Sequence, residues 1–454
     1  MARTRCVLLL LLFGCGMGAA QAAVPADAGS IVTRKLSNGL EIVVWPDHDI
    51  PNVAMYTWYR VGSRNERPGI TGIAHFFEHM MFNGTKTRPP GEFDREMEAA
   101  GGTNNAYTTE DVTVYQNWFP AGQLELIFDL ESDRMRHLDF DPKAVESERG
   151  VVYSERRSSI DNDSFGTLVE QVQATAYLAH PYQSPVIGWP SDIESWTIED
   201  LRAFYRQYYA PNNAVMFVVG DVEPAAVLAL AERYLAKLEP QPAPAPVTTK
   251  EPPQLGERRL IVRRDGQTPI IAMAWHAAAA PDRESRVLEV LLAILGSGDS
   301  SRLHQRLVEH EQAAVQVGTQ LQAGFDPGLA WVYAVVPPGG DAARAEQLID
   351  EEIARIAKDG PTPPELTKAR NQALAGFWRG LETISGKAGA LGRYQVFHGD
   401  YRKLFDEPAV YETITAEDVR RAAAEVLRAD NRTVGVLMPT LPAAGPAASD
   451  GAAR

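Results

Sequence analysis

The apolar and polar positions of this chain fall into the same order twice. Residues 40–45 and 53–59 are nearly continuous apolar runs of strand length, and a helical period follows Thr71. Residues 259–262 and 270–275 repeat the two strands, and residues 285–295, stopped by Gly296, repeat the helix. Later in each half come Thr-x-x-Asp, an amphipathic helix, an Asn and another apolar strand. In the first half these are Thr197, Asp200, Asn213 and residues 214–219. In the second they are Thr415, Asp418, Asn431 and residues 433–437. Thr and Asn are 16 residues apart in both, and an Asp three residues after a Thr is the spacing of a capping box. Cap, helix length and following strand match together, which reads as an internal duplication. The expected fold is α+β, with two homologous domains. Each is expected to be a mainly antiparallel sheet with helices packed on one face.

A chain of 454 residues is too long for one core. Dense proline in residues 239–253 blocks both helix and central strand, so residues 239–256 are expected to be a linker. It separates an N-terminal domain, 31–238, from a C-terminal one, 257–440. Residues 441–454 are rich in Ala, Gly and Pro and are expected to be disordered. Residues 1–22 read as a secretory signal: Arg3 and Arg5, a short apolar run, then Ala20-Gln21-Ala22. Export to the periplasm or medium is the expectation. Lipid anchoring through Cys15, which ends a lipobox-like Leu12-Phe13-Gly14-Cys15, is the alternative. No later segment is long and apolar enough to be a transmembrane span.

Charge and cysteine count narrow the chemistry. Loss of Arg3 and Arg5 with the signal moves the net charge from −15 to −17, which disfavours nucleic acid or an anionic membrane as partner. Both cysteines, Cys6 and Cys15, lie in the signal. A mature chain therefore has no disulfide, and any metal site in it must use His and carboxylates.

Such a site is offered by His75-Phe76-Phe77-Glu78-His79. On a helix capped by Thr71 and running to about Phe82, with Gly84 beyond it, His75 and His79 are i and i+4 and share a face. Two imidazoles so placed can bind one Zn²⁺, and Glu78 is near enough to take a proton from water there. A catalytic zinc needs a third protein ligand and an open position. Glu148 and Glu155 are seven apart, on one face of an expected helix. One could bind metal while the other orients a ligating imidazole, and spacing alone does not say which.

H-x-x-E-H is the inverzincin signature, and the chain resembles the insulinase/pitrilysin-like zinc metallopeptidases. It is most similar to their shorter branch, which includes mitochondrial processing peptidase and many bacterial zinc proteases. Glu155 follows His79 by 76 residues, the spacing of the family's third ligand, and Glu148 matches the family's Glu that orients a ligating imidazole. The resemblance covers about residues 31–440. It implies one Zn²⁺ per chain held by His75, His79 and Glu155, with Glu78 as general base and Glu148 behind the metal. It further implies an edge strand on which Asn105 and Ala106 bind substrate backbone by strand addition. His180-Pro181-Tyr182, Gly188-Trp189-Pro190 and residues 296–303 also match family segments, without an assigned chemical role.

One element departs from the family. An Arg and a Tyr seven apart, just before a T-x-E-D-like helix start, hold substrate in many members. Lys403 and Val410 stand at those positions here, with Arg402 and Tyr411 adjacent but out of register. The resemblance implies an exported zinc endopeptidase for unfolded peptides. It would work as a dimer enclosing a chamber, either with a homologous inactive subunit or with itself. The alternatives are a non-catalytic peptide-binding or scaffold subunit and a dedicated precursor-processing protease.

Overall fold

The computed structural model describes residues 28–440. The signal, Cys15 and the tail lie outside these residues. The first half runs β1 (Val32–Lys35), β2 (Glu41–Pro46), β3 (Asn52–Tyr59), α1 (Ile73–Met80), α2 (Glu92–Ala99), β4 (Thr103–Thr108), β5 (Thr113–Pro120), α3 (Leu124–His137), α4 (Pro142–Arg156), α5 (Ser164–Ala176), α6 (Pro190–Ser195), α7 (Ile198–Tyr208), β6 (Ala214–Gly220) and α8 (Pro224–Tyr234). The second runs β7 (Arg258–Asp265), β8 (Ile270–His276), α9 (Arg283–Gly296), β9 (Gln316–Gln322), β10 (Leu329–Val335), α10 (Ala342–Asp359), α11 (Pro363–Gly380), α12 (Ile384–Phe397), α13 (Glu407–Thr413), α14 (Ala416–Val426) and β11 (Arg432–Thr440). No helix or strand interrupts residues 239–257 between them.

The two sheets have one topology. The first is ordered β1-β2-β6-β3-β5-β4 and the second β7-β11-β8-β10-β9. β2 with β6 and β7 with β11 are the parallel pairs; every other pair is antiparallel. β1 is the only strand of the first sheet without a counterpart in the second. Thr197 and Thr415 cap α7 and α14 through the same reciprocal box with Asp200 and Asp418.

The expected α+β architecture is present, with an addition that period alone does not show. Each sheet packs its own half's helices on one face, and its other face is covered by a helix from the opposite half. Leu381, Ile384, Ala388 and Leu391, at and just before α12, pack on Val43, Trp45, Ala54 and Trp58 of the first sheet. Leu168, Val172 and Ala176 of α5 pack on Ile270, Ala272, Ala274 and Leu437 of the second. Strands β3, β6 and β8 are thus buried on both faces, so their sequences read as unbroken apolar runs rather than alternating ones.

The start of the pentad's helix is a correction. Thr71 does not cap it: Gly72 stands at the N-cap with φ +83°, and the helix ends at Met80 rather than near Phe82. The Thr71 hydroxyl donates to Asp192 at 2.8 Å instead. The orphan N–H groups of Gly72 and Ala74 are taken by the Glu66 carboxylate, at 2.8 Å each. A left-handed glycine lets the chain turn sharply into the helix, and a carboxylate from the preceding loop replaces the neighbouring hydroxyl.

Candidate metal centre

The five residues of the pentad divide by helical angle. Phe76 and Phe77 face the core and are fully buried. Phe76 packs on Trp196 at 4.9 Å between ring centroids, and Phe77 stacks on Phe204 at 5.7 Å. Burying each ring is worth about 1.5–3 kcal/mol, enough to fix the rotation of this eight-residue helix. His75, Glu78 and His79 are left on the opposite side, towards α4 and β4.

α4 supplies the carboxylates. Asp141 accepts from the N–H groups of Lys143 and Ala144, and Pro142 opens the helix. Seven residues is close to two turns, so Glu148 and Glu155 reach α1 from one face. Glu155 Oε2 lies 3.3 Å from His79 Nε2, and Oε1 lies 3.7 Å from His75 Nε2. One ligand atom from each of His75, His79 and Glu155 falls within 4.8 Å of the others, the only such group of three or more metal-ligating residues among the described residues. Glu148 Oε1 lies 2.7 Å from His79 Nδ1, and Asn83 donates to its other oxygen at 2.5 Å. With Nδ1 bound to a carboxylate, Nε2 is left as the ligand atom of His79.

The donor set fits a tetrahedral zinc: two imidazole nitrogens and one carboxylate oxygen converge and leave a side open. Electrostatics agree. Burial pushes His75 down to about 4, so its ring is neutral, as a ligand must be. Burial also acts against the His79 imidazolium, but Glu148 and Glu155 outweigh it and hold that ring up to about 9. The paired carboxylates thus favour a positive charge in the cluster. The Glu155 side chain is 43% exposed, so the group opens to solvent. The cavity of about 710 Å³ at the seam of the two halves, lined by Trp58, Tyr107, Trp331 and Arg393, is a separate space that none of these ligands lines.

Glu78 receives a hydrogen bond from the Thr108 hydroxyl at 2.7 Å, and burial raises its carboxyl above the ordinary range. Thr108 is the last residue of β4, the free edge of the first sheet. Gly101 turns the chain into that strand with φ +73°. Asn105 is exposed on the strand and Ala106 is buried beneath it. Arg402 and Tyr411 do not join the group: Arg402 pairs with Asp400 at the surface, and buried Tyr411 donates to Glu289 within the second half. Lys403 donates to the His398 carbonyl at 3.0 Å. Sequence reasoning missed Thr108, Asn83 and Glu66. Each is an ordinary polar residue outside the pentad, and only the fold brings it there.

Residues 42–189 match the family model for insulinase (peptidase family M16), and residues 195–373 match that for the peptidase M16 inactive domain. A zinc protease of Helicobacter pylori, PqqE, is 33% identical over 440 residues, covering 95% of this chain and 97% of its own.

This chain belongs to the M16 insulinase-like peptidase family.

Among solved structures, a Helicobacter pylori protease matches with a TM-score of 0.87 and 31% identity over 90% of this chain and 99% of that one. The periplasmic protease PqqL of Escherichia coli matches at a TM-score of 0.76 and 22% identity, over 92% of this chain but 48% of its own, a likeness of fold alone. The M16 match places the pentad in the first of two related halves, as the two sheets do.

Proposed function

We propose that this chain is an exported zinc metalloendopeptidase that cleaves unfolded peptides. The observation that carries the reading is the convergence of His75, His79 and Glu155 from two helices, with Glu78 on the same side and bonded to the end of a free strand edge. His75, His79 and Glu155 would hold one Zn²⁺. Such an ion supplies Lewis acidity, making water a nucleophile near neutral pH and polarising the scissile carbonyl.

The remaining chemistry belongs to the chain. Glu78 accepts the proton of the attacking water on its carboxylate and returns it to the departing amine nitrogen. Its raised carboxyl suits both steps, and Thr108 fixes which oxygen faces the reaction. Glu148 holds His79 in one tautomer and orientation. The substrate backbone would extend the first sheet beyond β4 at Asn105 and Ala106, selecting extended chains over folded ones. Relatives named as zinc proteases support the reaction class, and the N-terminal charge, apolar run and Ala-x-Ala support export. Among the described residues no helix is long and apolar enough to cross a membrane. With Arg402 and Tyr411 engaged elsewhere, a second chain of the family supplies the other side of the substrate clamp.

The test is hydrolysis of a quenched-fluorescent library of unfolded peptides by the purified chain, alone and with a homologous partner. Glu78→Gln should keep one zinc per chain and lose turnover by about 10²–10⁴-fold. Equal turnover in parent and variant, or one zinc per chain with no turnover in either, would sink the catalytic reading. The latter would favour a peptide-binding subunit.

A further inference from the structure

α1 has eight residues, too few for its own backbone bonds to hold a fixed axis. What it is fastened to sets its position. Residues 187–196 run across its N-terminus, where Gly72 and Gly188 meet backbone to backbone. A Cβ on Gly72 would lie 2.3 Å from the Ile187 carbonyl oxygen, and one on Gly188 would lie 2.4 Å from the Thr71 oxygen. The Trp189 N–H donates to Thr71 Oγ1 at 3.0 Å, and the Trp196 indole donates to the Thr71 carbonyl at 3.2 Å. The Thr71 N–H and hydroxyl both donate to Asp192.

The same segment is fastened to α4. Arg149 donates to the carbonyls of Ile193 and Trp196. Arg156, the residue after Glu155, donates to the Gly188 carbonyl at 2.8 Å while its fork grips Glu170 at 2.8 and 3.0 Å. The Arg156 and Glu170 side chains are 4% and 6% exposed. A planar guanidinium can satisfy all three bonds at once; an ammonium cannot match that fork.

We infer that residues 187–196 are a splint joining the two ligand helices, with Arg156 the positioning residue that closes it. The inference rests on the metal reading above. His75 is three residues beyond Gly72, and Glu155 adjoins Arg156, so the splint fixes the distance between ligands on separate elements. Ligand geometry must hold to a fraction of an ångström, so loosening this brace costs metal affinity before it costs the fold. A purely structural ion pair would affect unfolding but leave the zinc grip of the folded chain unchanged.

The test is chelator competition for Zn²⁺ with the full chain, with circular dichroism to establish that each variant is folded. R156M/E170M removes both buried charges together and strands neither. It should bind zinc about ten- to a hundredfold more weakly, with R156K intermediate and T71V weakened in the same direction. R370M is the control: Arg370 on α11 fastens α13, in the corresponding place of the second half, through the Glu412 carbonyl, and its loss should leave zinc affinity unchanged. Folded R156M/E170M with parental affinity overturns the inference, as does an equal loss in R370M. If R156M/E170M does not fold, T71V decides, and parental affinity there overturns it. A parent chain that takes up no zinc overturns the metal reading itself, a result distinct from equal binding by parent and variants.

Discussion

α4 and α11 occupy the same place in the two halves and differ where chemistry would be done. Both open with a side-chain cap followed by proline, Asp141-Pro142 and Thr362-Pro363. Counted from those caps, Arg149 corresponds to Arg370, and each donates to a carbonyl of the short helix before the Thr-capped one, Ile193 of α6 and Glu412 of α13. The same count sets Ala369 opposite Glu148 and Gly376 opposite Glu155. α9, in the place of α1, turns Leu291, Leu292, Ile294 and Leu295 into the core and continues for 14 residues. The Arg149 brace persists as Arg370 where the ligand groups do not, so this part of the fold does not depend on the ligands. The first half has a shorter helix and an open polar face, whereas the second half closes the same face with leucine and isoleucine.

The strongest way to break this contrast is to exchange the groups that define it. Glu155→Gln should remove bound zinc and reduce peptide hydrolysis by more than about a thousandfold, because two imidazoles alone do not complete a catalytic site. Gly376→Glu on α11 should change neither, since its surroundings are open and no imidazole faces it. Metal analysis and turnover of the two variants check this. Next, Glu148→Gln should weaken zinc binding about ten- to a hundredfold in chelator competition by loosening His79.

The exchange of helices between halves gives a matched pair of packing tests. A Cβ at Gly392 of α12 would lie 2.2 Å from the Trp58 ring, and one at Gly435 of β11 would lie 2.3 Å from Val172 of α5. Gly392→Ala and Gly435→Ala should each destabilise by about 1–3 kcal/mol through overpacking. Because each half covers the other's sheet, each variant should lower one common unfolding transition in denaturant. Two resolved transitions would show that the halves are separable after all.

The smallest effect separates the halves by pH. Burial, then the charges of Arg286, Lys403 and Arg393, push His398 down to about 4. An unfolded histidine titrates near 6.5. Between these values the unfolded chain binds a proton that the folded chain refuses, so stability falls as pH drops from about 6.5 to 4 and is regained on the way up. From pH 7 to 5 the loss should be about 1 kcal/mol, discounted for partial solvent exposure. His398→Asn should flatten that part of the stability–pH curve of the metal-free chain.

Much of the architecture was legible because it is written locally. Apolar runs gave the strands, two Thr-x-x-Asp boxes gave α7 and α14, and the repeated order gave the duplication. The pentad gave its own geometry, since i and i+4 share a face on any helix. Glu148 and Glu155 could be set on one face, but the choice between them came from family spacing. Long-range competition limited the rest. Thr71 has a capping side chain, yet Asp192, 121 residues away, takes its hydroxyl. The mutual covering of the sheets by α5 and α12 leaves no trace in period, because a helix is amphipathic whichever half it packs against.

The sequence by itself determined the elements, their repetition, the absence of cysteine after the expected signal and the residue types available to a metal. Each follows from bond geometry or composition within a few residues. Only the tertiary structure decided which atoms meet: Glu155 against two imidazoles, Glu148 behind His79, Thr108 on Glu78, Glu66 under the helix start and Arg156 bracing Gly188. Those partners are separated by 6 to 80 residues in the chain. Packing of α1, α4 and the first sheet into one core brings them together, and no local pattern encodes that.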